Sequence, residues 1–554
     1  MRVLLAALFA APLLGAATAD ARFDVRDAFV VAPEPRSPEV AVNARGASLT
    51  AYVEAGVLRV RERSASGVVT GPTDLQVPGA SSAEVTLDDA GGALVVAETA
   101  DGPVALTRSA GGTFGPPEPL AGPLIRIEAL AGDGAGNVAV VLSEPLPDDA
   151  SRLSLRLRPA GGGFGPATAL SRGSASADLA FGEGGRVAVT VVDQAAFSFE
   201  PGRRVAVRTG RVAEGVGRAV VLARARAGER FDAARPALDG GLVRVVMDVS
   251  RETVRSTLLS VRLAALAADG RVVAPRTLSG GGAYDAQITS VGGRTAVAWA
   301  SVSPTRPGIH VARCTGATTC ARAQRVSPPE RGFSPSTGRS KAVAGATEAR
   351  SSGPRLRFSR AGDLGVVWAS SPFFGPSTLL GAVRRREARG FDGPAPVSPL
   401  GSDAIAGEPA WTRAGMLLVP FRSGATVALA VRAGAAVAAR PTDRSAPRVT
   451  LGTPTAAGLR AGVLAARVRC SEACAVVPRG LVVVGNDINK PASDTPILIP
   501  ASRSVVVSLP LVRKEREELA AGERTFRARL RLSVVDRLGN ARTAETQICS
   551  PRRC

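Results

Sequence analysis

A strand-turn-strand pattern recurs along most of this chain, and it restricts the fold more than any other feature of the sequence. In each copy, a short apolar segment leads into a glycine-containing turn and a second apolar segment leads out of it. The copies begin at Ala41, Val85, Leu130, Phe181, Pro236, Ser290, Phe358 and Trp411. Their turns are mostly about 45 to 55 residues apart, and a four-stranded repeat of that length is typical of a β-propeller blade.

A second motif marks the end of some repeats. Residues 111–120 read GGTFGPPEPL, residues 161–170 read GGGFGPATAL, and residues 389–400 read RGFDGPAPVSPL. Glycine permits a tight reversal of the chain, and proline is tolerated where an edge strand begins. We therefore interpret this motif as the turn and outer strand that complete a blade.

These patterns predict an all-β fold, with a seven- or eight-bladed β-propeller of about eight four-stranded repeats over residues 22–440. The blade count stays open because residues 328–354, rich in Pro, Ser, Gly and Arg, read as a long surface loop between two repeats. Residues 22–35, RFDVRDAFVVAPEP, are predicted to add a lone strand to the last blade and close the ring. An array of β-sandwiches is the alternative, although its repeats are usually longer.

The repeats stop before residues 441–447, which read as a linker, and residues 448–554 are predicted to form a small β-sandwich. A short helix is expected from Val512, and a strand begins near Phe526. Apolar and polar residues alternate along that strand, which places Arg527, Arg529 and Arg531 on its solvent face. These three arginines form a candidate anion-binding stripe.

The first residues have the pattern of a secretory signal peptide over residues 1–19. One arginine precedes an apolar run, and small residues follow near Ala19. No later segment is long and apolar enough for a membrane span, so we expect a secreted, extracellular protein. Only 4% of the residues are aromatic, so Val, Leu and Ala must build the cores.

The formal net charge of +21 suggests contact with an anionic polysaccharide or cell-wall polymer. The codon usage of a GC-rich genome is an alternative explanation. Nearly all the basic residues are arginine, and the chain is also rich in Ala, Gly, Pro and Val. No specific nucleic-acid partner is expected.

Six cysteines form three pairs that are close in sequence. The pairs are Cys314 with Cys320, Cys470 with Cys474, and Cys549 with Cys554. In an exported chain such pairs predict short disulfide-closed loops. A zinc site is the alternative, but the spacings are unequal and the chain has a single histidine.

The motifs of known chemistry predict no catalytic residue, no cofactor and no metal site. His310 lies in an alternating strand segment, and the motifs of serine hydrolases, zinc proteases and phosphate loops do not occur. Two carboxylate pairs, Asp88 with Asp89 and Asp148 with Asp149, are adjacent in sequence and therefore point apart. We interpret them as solvated turns rather than as the paired carboxylates of a glycosidase.

The VRCSEAC segment at residues 468–474, the late VVDRLGN turn and the Phe-Gly-Pro repeat endings resemble one group of secreted proteins. These are β-propeller-repeat proteins of GC-rich bacteria with a C-terminal immunoglobulin- or fibronectin-like module. The resemblance implies a fold more than an activity. We therefore expect a secreted, non-enzymatic binding or scaffold protein. The alternative is a polysaccharide-active enzyme, a glycoside hydrolase or lyase, with carboxylates drawn from different blades.

Overall fold

The computed structural model describes residues 23–30, 36–146, 151–171, 175–193, 204–252, 257–303, 308–327, 353–370, 377–398, 404–423, 426–432, 447–472, 474–484, 487–489, 491, 497–500, 502–520, 526–536 and 541–549. Within these ranges the chain is almost entirely β-structure, arranged as a propeller-like series of antiparallel sheets. The predictions of an all-β chain and of repeated four-stranded sheets are therefore confirmed. The signal peptide and residues 441–446 of the linker lie outside the described residues, as does the predicted surface loop except for its last two residues.

Eight sheets are present between residues 23 and 432 of the described chain, and each is built mainly from consecutive strands. The first four sheets contain β2 (Arg36–Val42), β3 (Ser48–Glu54), β4 (Val57–Arg63) and β5 (Val69–Pro78); β6 (Ser82–Leu87), β7 (Ala93–Thr99), β8 (Gly102–Arg108) and β9 (Glu118–Pro119); β10 (Arg126–Gly132), β11 (Val138–Pro145), β12 (Ser151–Arg158) and β13 (Thr168–Ala169); and β14 (Ala175–Phe181), β15 (Arg186–Asp193), β16 (Arg204–Arg211), β17 (Gly215–Val216) and β18 (Val220–Arg224).

The next three sheets follow the same order, and the eighth combines segments from both ends of this region. They contain β19 (Glu229–Asp239), β20 (Leu242–Glu252), β21 (Thr257–Leu266) and β22 (Val272–Ser279); β23 (Ala283–Val291), β24 (Arg294–Ser301), β25 (Gly308–Cys314) and β26 (Gln324–Arg325); β27 (Arg355–Phe358), β28 (Leu364–Ser370), β29 (Thr378–Arg384) and β30 (Ala395–Pro396); and β31 (Ala404–Ala406), β32 (Ala410–Trp411), β33 (Leu417–Ser423), β34 (Thr426–Arg432) and β1 (Asp24–Val30).

The N-terminal strand completes the eighth sheet, as the sequence predicts. β1 pairs antiparallel with β34, and Asp24 lies opposite Val431. The eighth sheet in turn contacts the first, because the Arg413 N–H donates to the Ala44 carbonyl at 2.6 Å. The sheets therefore follow one another around a ring that closes between β33–β34 and β2–β3.

The Gly-Gly-x-Phe-Gly-Pro motif forms a turn after the third strand of its sheet. Gly111 has a φ of 70°, which a residue with a Cβ rarely adopts, and the Gly115 N–H donates to the Thr107 carbonyl at 2.9 Å. The chain then forms β9, which pairs with β8 at the outside of the second sheet. Residues 161–170 form the same turn and the outer strand β13, so both parts of the interpretation are confirmed.

The cores lie between neighbouring sheets and consist mainly of Val, Leu and Ala, as the low aromatic content requires. The second strand of a sheet is covered on both faces, which explains sequences such as VAVTVV in β15, where six consecutive residues are buried. One such cluster joins the third and fourth sheets through Val141, Leu155 and Val189. At the junction between the first and eighth sheets, Tyr52 packs with Val427.

The C-terminal residues form two sheets around one separate core. One sheet contains β35 (Val449–Leu451), β36 (Val463–Cys470) and β40 (Ser504–Pro510), and the other contains β37 (Cys474–Val484), β38 (Asp487–Asn489), β39 (Ile497–Ile499), β41 (Phe526–Asp536) and β42 (Ala541–Cys549). Helix α1 spans Ala456–Arg460, and α2, the helix expected from Val512, spans Arg513–Ala520. Leu464, Val476 and Leu530 are fully buried between the two sheets. Across the described ranges, no helix has the length and apolar character that crossing a membrane requires.

Candidate functional site

The first strands of the eight sheets surround a cavity of about 1370 Å³. Each of these strands, or the segment leading into it, places a polar residue in the cavity wall four or five residues before its turn. These residues are Glu39, Glu84, Glu128, Asp178, Arg235, Gln287, Arg355 and Glu408. Glu128 is five residues before its turn in β10, which has a bulge between Ile127 and Ala129, and Arg235 and Gln287 are five residues before the two-residue turns that follow their strands. We call this set the polar ring.

The polar ring lies toward the cavity mouth opposite the turns between first and second strands. Four residues of extended chain span about 13 Å, so the ring lies about that far from those turns. In an up-and-down antiparallel sheet, the start of the first strand and the connection between the second and third strands lie at the same end. The ring is thus nearer the mouth at which the second and third strands of each sheet are connected.

Three glutamates from consecutive sheets form one arc of the ring. Burial, together with the neighbouring carboxyl groups of Glu39, Glu98 and Glu128, raises the pKa of Glu84 to about 8. Among the described residues, no hydrogen bond or ion pair reaches the Glu84 carboxyl group. Glu84 therefore holds its proton at neutral pH and presents a hydrogen-bond donor to the cavity. We call Glu39, Glu84 and Glu128 the acidic arc.

The two outer members of the acidic arc are also shifted, but each has a compensating contact. The Glu39 side chain is exposed to the cavity, yet protein encloses it on its other sides. This enclosure raises its pKa, while Arg422 and Arg355 oppose the shift. Burial likewise raises the pKa of Glu128, and a hydrogen bond from the Ala177 N–H opposes it. Neither carboxyl group has a shift large enough to match that of Glu84.

The other side of the ring is dominated by Arg235. Its Nη1 lies 2.9 Å from Asp248 Oδ2, its Nη2 lies 3.5 Å from Asp285 Oδ1, and its Nε lies 3.9 Å from Asp178 Oδ2. Nη1 also donates to the Ala286 carbonyl at 2.8 Å. Burial raises the pKa of Asp248 to about 6 although Arg235 opposes the shift. One guanidinium thus contacts the fourth, fifth and sixth sheets.

The ring is completed by an ion pair and an amide. Arg355 Nη1 lies 3.2 Å from Glu408 Oε1, which joins the seventh sheet to the eighth. Gln287, on β23, is uncharged and has both a donor and an acceptor. The cavity wall therefore has an acidic arc on the first three sheets and paired charges on most of the others.

Asp88 and Asp89 lie at the mouth opposite the ring, and their interpretation as solvated turns is only partly right. They do form a turn, because the Asp88 carboxylate accepts a hydrogen bond from the Gly92 N–H at 2.7 Å. Asp89 is not merely solvated, since it accepts from the Ala44 N–H at 3.0 Å and lies 3.3 Å from Arg413. It therefore joins the turns of the first, second and eighth sheets. Asp148 and Asp149 lie outside the described residues.

The residues singled out from the sequence lie elsewhere. Cys314 is disulfide-bonded to Cys320 and Cys470 to Cys474, as predicted, whereas Cys554 lies outside the described residues, so its pairing with Cys549 stays a prediction. His310 is a buried residue of β25 stacked beside Trp299 and takes no part in the cavity wall. Arg527, Arg529 and Arg531 lie on β41 of the C-terminal unit. No group of three or more His, Cys, Asp or Glu residues in the described ranges could hold a metal ion.

Sequence reasoning missed the polar ring and the network around Arg235. Consecutive members of the polar ring are between 44 and 68 residues apart, and each reads as an ordinary polar residue near the start of an apolar strand. The available signal was their common distance from the turn, which appears only when the repeats are aligned on the turn. Asp248 stands within the apolar segment VVMDVS, and its counterpart in the second sheet is Glu98, which accepts a hydrogen bond from the Ile127 N–H of the third sheet at 2.8 Å.

No family model matches this chain, and no curated protein matches it either. Among solved structures, the apo form of prolyl oligopeptidase B from Galerina marginata is 9% identical, with a TM-score of 0.34, and the match covers 65% of this chain and 47% of that one. The same enzyme bound to a 35mer hydrolysis and macrocyclization substrate gives a TM-score of 0.33. A protein from Lactobacillus plantarum is 11% identical, with a TM-score of 0.30, over 52% of this chain and 83% of that one. The match spans about half the length of the oligopeptidase, and likeness at this level assigns no function.

Proposed function

We propose that this protein is a secreted binding protein whose ligand site is the cavity enclosed by the polar ring. The proposed organisation is an eight-bladed β-propeller over residues 22–440 and an immunoglobulin- or fibronectin-like β-sandwich over residues 448–554. The observation that carries the proposal is the ring itself, in which eight strands contribute polar groups at one level of a single large cavity. Polar groups that converge in the largest concave site of a protein are the usual mark of a ligand site.

The chemistry of the ring favours a ligand with many hydroxyl groups. Protonated Glu84, Gln287 and the arginines supply donors, whereas the other carboxylates supply acceptors. An oligosaccharide uses both kinds of partner at once. The acidic arc disfavours an anionic ligand at this site. The contact with an anionic polymer that the net charge suggests therefore belongs on another surface.

A polysaccharide-active enzyme is the second candidate, and the state of Glu84 is the observation that favours it. Glycoside hydrolysis needs one carboxyl group that keeps its proton and a second carboxylate that acts as base or nucleophile. Glu84 would donate the proton to the leaving glycosidic oxygen, and Glu39 or Glu128, from the adjacent sheets, would be the second carboxylate. The three glutamates of the acidic arc would thus differ in protonation state, with one acting as the proton donor and another as the base or nucleophile.

A glycan array followed by titration calorimetry tests the proposal. The variant E39Q/E84Q/E128Q replaces the three carboxyl groups of the acidic arc by amides, and E183Q/E214Q/E387Q makes the same change at three exposed glutamates outside the cavity wall. We expect neutral oligosaccharides to bind the wild type and the control equally, and to bind the arc variant at least tenfold more weakly. Equal binding by the arc variant, or no binding of neutral oligosaccharides by the wild type, would overturn it.

An assay for new reducing ends separates the two candidate functions. A binding protein leaves every bound glycan intact. An enzyme releases reducing ends from one of them, and E84Q abolishes that release while retaining the glycan, since it removes the transferable proton and keeps the shape of the side chain.

A further inference from the structure

The C-terminal unit has a cationic face that is separate from the cavity. On β41 the apolar residues are buried in the core, whereas Arg527 and Arg531 are exposed and Arg529 is half-buried. Arginines two positions apart on a strand project from the same face at intervals of about 7 Å. The alternation that the sequence predicts for this strand is therefore present.

The structure adds a fourth arginine to this row. Arg479 is exposed on β37 and lies directly opposite Arg531 in the register of the two strands. Directly opposed residues of an antiparallel pair have Cα atoms about 5 Å apart, so the two guanidinium groups belong to one patch of the sheet surface. On the other side of β41, Glu545 lies 3.3 Å from Arg529. Four arginines therefore lie side by side on one face of these two strands.

Two apolar side chains accompany these arginines. Leu481 and Val483 are half-buried on β37 and lie opposite Arg529 and Arg527. Guanidinium groups bind carboxylates through paired hydrogen bonds, while aliphatic side chains can pack against the C–H face of a sugar ring. We call Arg479, Leu481, Val483, Arg527, Arg529 and Arg531 the arginine face.

We infer that the arginine face binds an acidic polysaccharide, with its carboxylates on the guanidinium groups and its sugar rings beside Leu481 and Val483. The charge of the face and its apolar strip together favour a carboxylated glycan over a phosphodiester polymer. This site is independent of the cavity, because the acidic arc has the opposite charge and takes uncharged hydroxyl groups. The protein would then attach to an acidic glycan through one unit and bind a neutral glycan in the other.

Binding of polygalacturonate to the full chain tests this inference. Dextran, which carries no charge, is the control polymer. By analogy with counterion release from single-stranded polyanions, three to four contacts predict that affinity falls about 30-fold between about 50 and 200 mM salt. The variant R479S/R527S/R529S/R531S should bind at least tenfold more weakly at low salt and show a shallower salt dependence. The variant R448S/R467S/R469S/R503S removes four exposed arginines of the same unit outside the face and should retain affinity within about threefold.

Four results would overturn the inference. The first is equal affinity of the wild type and the face variant for polygalacturonate. The second is a loss of affinity in the control variant as large as that in the face variant, which would indicate that the net charge of the unit, and not the arginine face, binds the polymer. A third is tighter binding of polythymidylate than of polygalacturonate, which would indicate a phosphodiester ligand. The last is loss of polygalacturonate binding in E39Q/E84Q/E128Q, which would place the acidic glycan in the cavity. The thermal melts of both arginine variants, which change only exposed or half-exposed side chains, should match that of the wild type.

Discussion

Arg235 Nη1 lies 2.9 Å from Asp248 Oδ2, and this ion pair joins the first two strands of one sheet beside the cavity. Both residues belong to the fifth sheet, and Asp248 also accepts a hydrogen bond from the Ala286 N–H of the sixth sheet at 3.0 Å. Asp248 is buried, so replacing it with asparagine leaves the Arg235 guanidinium and the Ala286 N–H with a weaker hydrogen-bond acceptor. The pair therefore fixes the position of Arg235 in the polar ring.

We predict that D248N lowers the free energy of unfolding by about 2 to 3 kcal/mol, since it breaks a charged hydrogen bond that is largely shielded from water. D193N is the matched control, because Asp193 pairs with Arg204 where both side chains are substantially exposed. Its cost should be below about 1 kcal/mol. Calorimetric melts measure both effects, and equal losses would show that the buried pair has no special role.

Glu84 should make stability depend on pH. Its pKa is about 8 in the folded protein, against an ordinary value of 4.5, so between these values the folded state holds a proton that the unfolded chain releases. The free energy of unfolding therefore falls as pH rises through this window and levels off above about pH 8. E84Q cannot titrate, so its melting temperature should fall less than that of the wild type between pH 5 and pH 8. Parallel pH profiles for the two proteins would refute the assignment.

Removal of the N-terminal strand should open the ring. β1 supplies the pairing partner of β34, and the Phe23 ring lies against the Arg432 guanidinium at 5.5 Å. A chain beginning at residue 33 exposes the edge of β34, which can pair with other molecules. We expect a lower melting temperature and concentration-dependent association by light scattering. A monomer that melts like the full mature chain would show that closure is unimportant.

Three nearest-neighbour disulfides are expected in the oxidised protein. Two of them, Cys314–Cys320 and Cys470–Cys474, are present in the structure, and Cys549–Cys554 is the remaining pair. Peptide mapping without reduction measures the connectivity. A bridge between different pairs, or free thiols at any of the six positions, is the outcome that contradicts the assignment.

Residues 448–554 should fold without the rest of the chain. Their core is drawn entirely from residues within that range, including Leu459, Val507 and Leu532. Expressed alone, this unit should give a β-type circular dichroism spectrum and a cooperative melt. The absence of a cooperative transition would place the domain boundary elsewhere.

The sheets could be predicted from the sequence because their glycine turns and apolar strands repeat along the chain. Gly111, for example, occupies a left-handed conformation that marks a turn in any context. The polar ring could not be found in that way. Glu84 and Arg235 occupy equivalent positions in their repeats but differ in chemistry, and only the closure of the ring brings them to one cavity. Carboxylates that are adjacent in the chain are visible in the sequence, whereas those of the acidic arc come from different sheets.

The most direct test of the proposed ligand site is a crystal structure of the protein with a neutral oligosaccharide that binds it. We predict sugar hydroxyl groups inside the cavity, with one accepting a hydrogen bond from protonated Glu84 and others donating to Glu39 or Glu128. An oligosaccharide bound outside the cavity, with only solvent at these three carboxyl groups, would contradict the proposal.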